Sequence, residues 1–466
     1  MTMLGEDVLY LPVRELAARI RSRKLSPVEL ADSYLERSTR IGPKLNAYAT
    51  LTHDLALKQA RQAEAEIHAG KYRGLLHGIP YAAKDLLAVK GYPTTWGAKP
   101  LVNQVFDYDA TVIEKLNKAG AVLIGKAAMI ELAGGLGYRF ASASATGAAK
   151  NPWNETCWTC GSSSGSGAIT ASALAGFAIG TETWGSIICP SAYCGVSGLR
   201  PTYGRVSRHG AMALAFTMDK IGVLGRTADD CAIVLRQISG HDPRDPSSLP
   251  GRGLAYDASA LKRTLRIGWL TNAWKEVSPA VASQTTAAID VLKSHGAMIG
   301  EAALPEGPWE EAAGTVVAVE GATAFDSLIE SGKVDGMSDP LGRLGGYVNK
   351  QIPASDYQRA MQIRAVLQRR IHELFEKFDC IAAASLPVTA TPLDANLETD
   401  LSFADPLGGI GNFCGLPAIS VPCGFDDKKL PVGIQFIARP MEESKVVAAA
   451  TLFQQHTDWH KRRPPV

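Results

Sequence analysis

The sequence predicts an α/β layered fold, strands alternating with helices along the chain, and three observations carry that expectation. Short apolar or alternating runs, such as Ile79-Pro80-Tyr81-Ala82-Ala83 and Leu265–Leu270, read as strands. The segments between them carry helix caps and helical periodicity. The chain has 466 residues, 46% of them hydrophobic, which is ample for a large core.

Element by element, Ser26-Pro27-Val28-Glu29 is a helix start: serine caps, proline fits the first turn, and glutamate stands at the capping-box position. A second helix over His53–His68 stops at Gly70, and the two form an N-terminal helical layer. Ile79, Tyr81 and Ala83 then alternate as a strand that delivers Lys84 at its end. Thr111–Lys118 reads as a helix and Ala121–Ile124 as a buried strand. The Ser/Gly loop at 161–167 opens a small-residue helix over Ala168–Ala178, and a further turn places Ser186. Beyond Leu249-Pro250 the chain reads as loose until the strand from Leu265. Helices near Pro279–Ser294 and Asp356–Phe378, the latter leading into Asp379-Cys-Ile-Ala-Ala-Ala, strands at Ala418–Val421 and Val432–Ala438, and a helix from Glu443 complete the pattern.

Composition narrows the function. A net charge of +2 without basic blocks gives no electrostatic footprint for nucleic acid. The N-terminus lacks the basic-then-apolar pattern of a signal peptide. The longest mildly apolar stretch, Ala168–Gly180, is too short for a bilayer, which takes about 20 residues. The expectation is a cytoplasmic protein without membrane or nucleic-acid partners. Eight cysteines in a chain this long do not suggest a disulfide scaffold. Cys157, Cys160, Cys189 and Cys194 have poor spacing for zinc, and no thioredoxin-like start surrounds Cys157-Trp-Thr-Cys160, so reduced buried thiols are expected.

Two motifs compete for the chemistry. Gly120–Ala127 nearly matches a phosphate-binding loop, but its intervening residues are apolar and β-prone, and alanine stands where a magnesium-binding hydroxyl belongs. Gly161-Ser162-Ser163-Ser164-Gly165 matches the nucleophile elbow of Ser-His-Asp esterases, yet Asn151–Cys160 reads as a poor strand, and His372, His456 and His460 are the only late histidine partners. What remains is a strand-end lysine, Lys84, with two serine clusters: Cys160–Gly167, and Gly185-Ser186-Ile187. Two hydroxyls and one neutral amine suffice for acyl transfer.

These segments carry a resemblance. Gly78–Asp85, Asp109-Ala-Thr-Val-Ile, Gly120–Lys126, Asn151-Pro-Trp, the Ser/Gly loop, Gly180–Ser186, Cys194–Ser207 and Gly415–Gly424 together resemble the amidase signature family, which includes fatty acid amide hydrolase and the A subunit of tRNA amidotransferases. The resemblance covers nearly the whole chain, most densely residues 74–230. It implies a large mixed, twisted β-sheet sandwiched between helices in one domain over 1–466, with a helical layer at 1–73, a signature core at 74–230 and a C-terminal α/β part at 265–466.

For mechanism, the resemblance implies Ser186 as nucleophile, Ser162 as a relay serine after a non-proline cis peptide bond, and Lys84 as base. Ser163 and Glu182 would support them, and backbone N–H groups of Thr183, Trp184, Gly185 and Ser186 would hold the oxyanion. No metal or cofactor is implied. The lysine must be neutral, and moving its pKa from about 10.4 to near 7 takes roughly 4–5 kcal/mol, which burial can supply. Leu132, Ala133, Gly134, Trp184 and Ile188 are expected in the substrate pocket, with Gly134–Gly147 as a mobile lip. The sequence departs from the family at Glu182, Trp184 and Ile188, where Asp, Gly and Arg are usual. An acid–arginine pair is therefore lost, and a buried Glu182 needs another donor, Arg139 or Arg200.

The implied activity is hydrolysis of the C–N bond of a small apolar or aryl amide, anilide or carbamate through an acyl-enzyme, by a monomer or homodimer. A Ser-His-Asp esterase, a non-catalytic binding descendant and the glutamine-hydrolysing component of an amidotransferase remain as alternatives.

Overall fold

The computed structural model describes residues 3–251, 253–256, 264–274, 276–400 and 405–466. Its strands in chain order are β1 (Tyr48–Leu51), β2 (Pro80–Lys84), β3 (Val122–Ala127), β4 (Lys150–Asn151), β5 (Asn154–Trp158), β6 (Phe177–Glu182), β7 (Ser197–Arg200), β8 (Lys220–Gly225), β9 (Arg266–Leu270), β10 (Met298–Ala302), β11 (Cys380–Ala384), β12 (Ala418–Phe425) and β13 (Pro431–Ile437). Eleven of them form one sheet in the order β1-β3-β2-β6-β8-β7-β12-β13-β11-β9-β10, while β4 and β5 pair separately. The sheet is mixed: β2 runs parallel to β3 and β6, and β6 runs antiparallel to β8. Helices flank it, as expected.

Local chemistry explains most of the elements. Ser26 Oγ accepts the N–H groups of Val28 and Glu29 at 3.0 and 3.2 Å and so caps the helix Pro27–Leu45. The helices His53–His68, Thr111–Lys118 and Pro279–Ser294 fall where their periodicity places them. β2, β3 and β8 are buried along their whole length, as central strands covered on both faces must be. The near-match to a phosphate loop is thus a buried strand, β3, whose Lys126 faces a carboxylate rather than a nucleotide. No described helix is long and apolar enough to cross a membrane.

Three expectations change. The helix foreseen over Ala168–Ala178 runs from Ser164 to Ala171, and Phe177–Glu182 is β6, an interior strand of the sheet between β2 and β8. Small apolar residues buried on both faces leave no period to separate a helix from a two-sided strand. Asn154–Trp158 is a strand after all, but in the small hairpin with β4. Gly134–Gly147 is tied down, because Asp339 Oδ2 accepts the N–H groups of Arg139 and Phe140 at 2.8 and 3.0 Å. Of the loose segment foreseen before Leu265, residues 252 and 257–263 lie outside the described residues.

The helix Ser164–Ala171 seats its first turn directly on the backbone. Gly165 N donates to Ala128 O at 2.9 Å, and a methyl at Gly165 would meet the Ala47 carbonyl as well as Ala128 N and O at 2.5 and 2.7 Å. Backbone cannot yield as a side chain can. Gly165→Ala is expected to lower stability by about 1–3 kcal/mol, measured by urea unfolding against wild type.

Candidate active site

Lys84 ends β2 with no exposed surface. Its Nζ lies 2.8 Å from Ser162 Oγ, 3.0 Å from Ser163 Oγ and 2.9 Å from Thr181 Oγ1. Three hydroxyls surround it, and among the described residues no carboxylate is bonded to it. Burial brings its pKa down to about 7, against the opposing fields of Asp219 and Glu182. Lys126, on neighbouring β3, is equally buried but meets Asp85 Oδ1 at 2.9 Å. Lys126 thus has an anion and Lys84 has hydroxyls, and of these two Lys84 is the one suited to be a neutral base.

The hydroxyls are not equivalent. Ser163 Oγ donates to Thr181 O at 3.1 Å and accepts Thr181 N–H at 3.2 Å, so its proton is committed and it can only accept from Lys84. Ser162 Oγ is free to bridge, since it also lies 3.0 Å from Ser186 Oγ. A neutral amine with two N–H groups and one lone pair fits this setting. As placed, Lys84 Nζ donates to all three oxygens and Ser162 Oγ donates to Ser186 Oγ; in a neutral amine whose two N–H groups are held by Ser163 and Thr181, the lone pair is left facing Ser162. The chain Ser186–Ser162–Lys84 is therefore continuous, and the peptide bond Gly161–Ser162 is cis. Among the described residues no histidine bonds to these serines. His456 stacks on His295, and His372 lies within the helix Ala354–Lys377.

Ser186 sits on the turn between β6 and the helix Ile188–Cys194. Glu182 braces that turn. Its Oε2 accepts the N–H groups of Ile187 and Ile188 at 2.7 and 3.0 Å, and its Oε1 accepts Arg200 Nη1 at 2.6 Å and Asn412 Nδ2 at 2.9 Å. Burial pushes the carboxyl up, but Arg200 and these donors outweigh it and hold it at about 2. The acid–arginine pair is thus relocated rather than lost, with Arg200 supplied from β7. Arg139 instead pairs with Glu398 at 2.9 Å. Among the described residues, the N–H groups of Trp184, Gly185 and Ser186 carry no backbone hydrogen bond.

A cavity of about 420 Å³ opens beside the hydroxyl cluster. Thr181 and Thr183 line it, with Leu86, Met212, Leu214 and Ile221 as apolar walls, while Lys84, Ser162 and Ser186 are not among its lining residues. Of the expected pocket residues only Ala133 lines it. Leu132 is packed in the core, Gly134 takes a left-handed turn, and Ile188 is buried at the start of its helix. The Trp184 indole turns to Asp405, donating to its Oδ2 at 3.0 Å. The lining comes largely from residues 203–221. The sequence signal there was faint, a run of apolar residues between Met212 and Ile221 with no charge before Asp219.

The thiols also differ from expectation. Cys160 and Cys189 form a disulfide, with Cα atoms 5.8 Å apart, while Cys157 and Cys194 are free and buried. A four-thiolate zinc site and a Cys157–Cys160 dithiol pair are both set aside by this pairing. Spacing could not reveal the bond, because its partners belong to the two different serine loops.

The chain matches known proteins over most of its length. The Amidase family profile covers residues 29–447. The A subunit of the glutamyl-tRNA(Gln) amidotransferase of Gloeobacter violaceus is 34% identical, over 97% of this chain and 98% of its own. The peptide amidase of Stenotrophomonas maltophilia superposes with a TM-score of 0.86 at 31% identity, over 98% of each chain. A chain from a vestigial protein complex tied to the origins of an s-triazine catabolic enzyme superposes at 0.88 and 27% identity, over 96% of this chain and 98% of its own.

The brace on the serine turn makes a stability prediction. Arg200→Met leaves Glu182 buried without its charged partner and is expected to cost about 3–5 kcal/mol in urea unfolding. Glu182→Gln added to Arg200→Met should recover part of that loss.

Proposed function

Because the chain belongs to the amidase family, we propose that it is a serine amidohydrolase whose nucleophile is Ser186, whose relay is Ser162 and whose base is Lys84. The observation that carries this reading is the unbroken hydroxyl path, 3.0 Å and then 2.8 Å, ending on a buried amine without a carboxylate. Ser186 attacks the acyl carbon while its proton passes to Ser162 and the proton of Ser162 passes to Lys84. The developing oxyanion turns toward the N–H groups of residues 183–186, donors typically worth about 3 kcal/mol each. The ammonium on Lys84 then returns its proton through Ser162 to the leaving nitrogen. An amine is a poor leaving group until protonated, so a relay running both ways suits C–N cleavage. Water enters by the same path and frees the acyl group.

For substrate, we infer a small apolar or aryl amide, anilide or carbamate, acted on by this chain as a monomer or homodimer. The cavity supports this through its apolar walls, Leu86, Met212, Leu214 and Ile221, and through the bonds that already hold Asp219 and Arg208. Asp219 accepts from Thr183, Leu214 and Ala215, while Arg208 donates to Phe216 O at 2.7 Å. A free amino acid would bring an ammonium and a carboxylate into that space and need partners for both. The second reading is the glutamine-hydrolysing component of an amidotransferase. It is favoured by the names of the curated relatives, 34–37% identical across nearly their full length.

Two experiments test this. Fluorophosphonate should label Ser186, Ser186→Ala should abolish turnover, and kcat/KM should rise as pH passes through about 7, where Lys84 loses its proton. Full activity in Ser186→Ala, or an acid limb far from neutrality, would refute the assignment. A hydrolysis panel of the purified chain on anilides, aryl and aliphatic amides, carbamates and glutamine should show the aryl and apolar substrates turned over best. Turnover of glutamine alone, and only with a partner protein added, would favour the second reading.

A further inference from the structure

Asp219 stands in the turn that leads into β8, beside β6 in the sheet. Its carboxylate joins two parts of the site that are far apart in sequence. Oδ1 accepts the Thr183 hydroxyl at 2.6 Å, the short distance of a charge-assisted bond. Oδ2 accepts the N–H groups of Leu214 and Ala215 at 2.7 and 3.0 Å, and the N–H of Asp219 returns to Ala215 O at 2.9 Å. Thr183 begins the loop that ends at Ser186, and Leu214 is a wall of the cavity. Threonine is stiff about χ1, so pinning its hydroxyl also restrains its backbone. One side chain therefore links the Thr183–Ser186 loop to a wall of the cavity.

We propose that Asp219 is a positioning residue of the reaction: through Thr183 it holds the oxyanion donors, and through Leu214 and Ala215 it holds the acyl-cavity wall, so that both keep one register relative to Ser186. This rests on the serine–lysine reading above. Asp219 has no contact with the reacting atoms and acts through the groups it holds. It has a second effect through its charge. Asp219 and Glu182 are the two carboxylates whose fields reach Lys84, whereas Asp85, next to Lys84 in sequence, is spent on Lys126. Removing the charge of Asp219 takes away support for the ammonium form, so Lys84 becomes neutral at a lower pH.

The test is the rate of Ser186 labelling by a fluorophosphonate, whose phosphoryl oxygen needs the same donors, measured against pH for the full chain. Asp219→Asn is expected to label about tenfold or more slowly at its plateau, with its acid limb moved below that of wild type. Thr183→Val, which breaks the same bond but keeps the charge, should label slowly with the limb unmoved, and Thr183→Ser should recover the rate. A plateau and limb in Asp219→Asn matching wild type would overturn the inference alone, provided Ser186→Ala is unlabelled and inactive. An active Ser186→Ala would overturn the serine reading and this inference together. Should Asp219→Asn fail to fold, the Thr183 pair decides: equal rates in Thr183→Val and wild type overturn the proposal.

Discussion

A lysine buried without an anion is the constraint on which the rest depends. Placing an ammonium in a low-dielectric interior is costly, and proteins normally meet that cost with a carboxylate. Lys126 follows that rule with Asp85, while one strand away Lys84 is given only hydroxyls. Burial brings its pKa down to about 7, which suits the amine to act as an acceptor near neutrality. The surrounding groups then take their orientation from it. Ser163 is fixed as an acceptor by the backbone of Thr181, which leaves Ser162 as the hydroxyl able to pass a proton in either direction.

Sheet order explains how residues spread over more than a hundred positions meet. β2, β6 and β8 are neighbours, and they deliver Lys84, the serine turn and Asp219 at one end. The brace comes from further away. Arg200 arrives on β7 and Asn412 on the helix Pro406–Phe413, and both converge on the carboxylate of Glu182. The serine turn is therefore held by the later part of the chain as well as by its own segment, and the usual local arginine becomes dispensable.

This division marks what was legible in the sequence. Lys84, Ser162 and Ser186 could be picked out because each stands in a distinctive local setting: a strand end, a Ser/Gly loop and a Gly-Ser turn. The capped and amphipathic helices were readable for the same reason, because their signals lie within a few residues. β6 was not, since Phe177-Ala-Ile-Gly-Thr-Glu is buried on both faces and offers no alternation. The cavity lining was largely missed because it is assembled from residues 203–221, which have no distinctive chemistry until the fold sets them beside Thr181 and Thr183. Arg200 was one of two possible partners for Glu182, and only the folded sheet, which sets β7 one strand beyond β8 from β6, distinguishes it from Arg139.

The Cys160–Cys189 bond has a topological consequence. Residues 160–189, closed by sulfur, form a covalent ring that contains both Ser162 and Ser186, each within a few residues of the closure. Cross-linking a loop of this size restricts the unfolded chain by about 3–4 kcal/mol in the entropic account. The two serines thus remain tethered in the unfolded chain for as long as the ring is oxidised. A protease that cuts between the two serines leaves them on one sulfur-linked fragment, so after such a digest, assigning an adduct to one hydroxyl or the other begins with opening the ring.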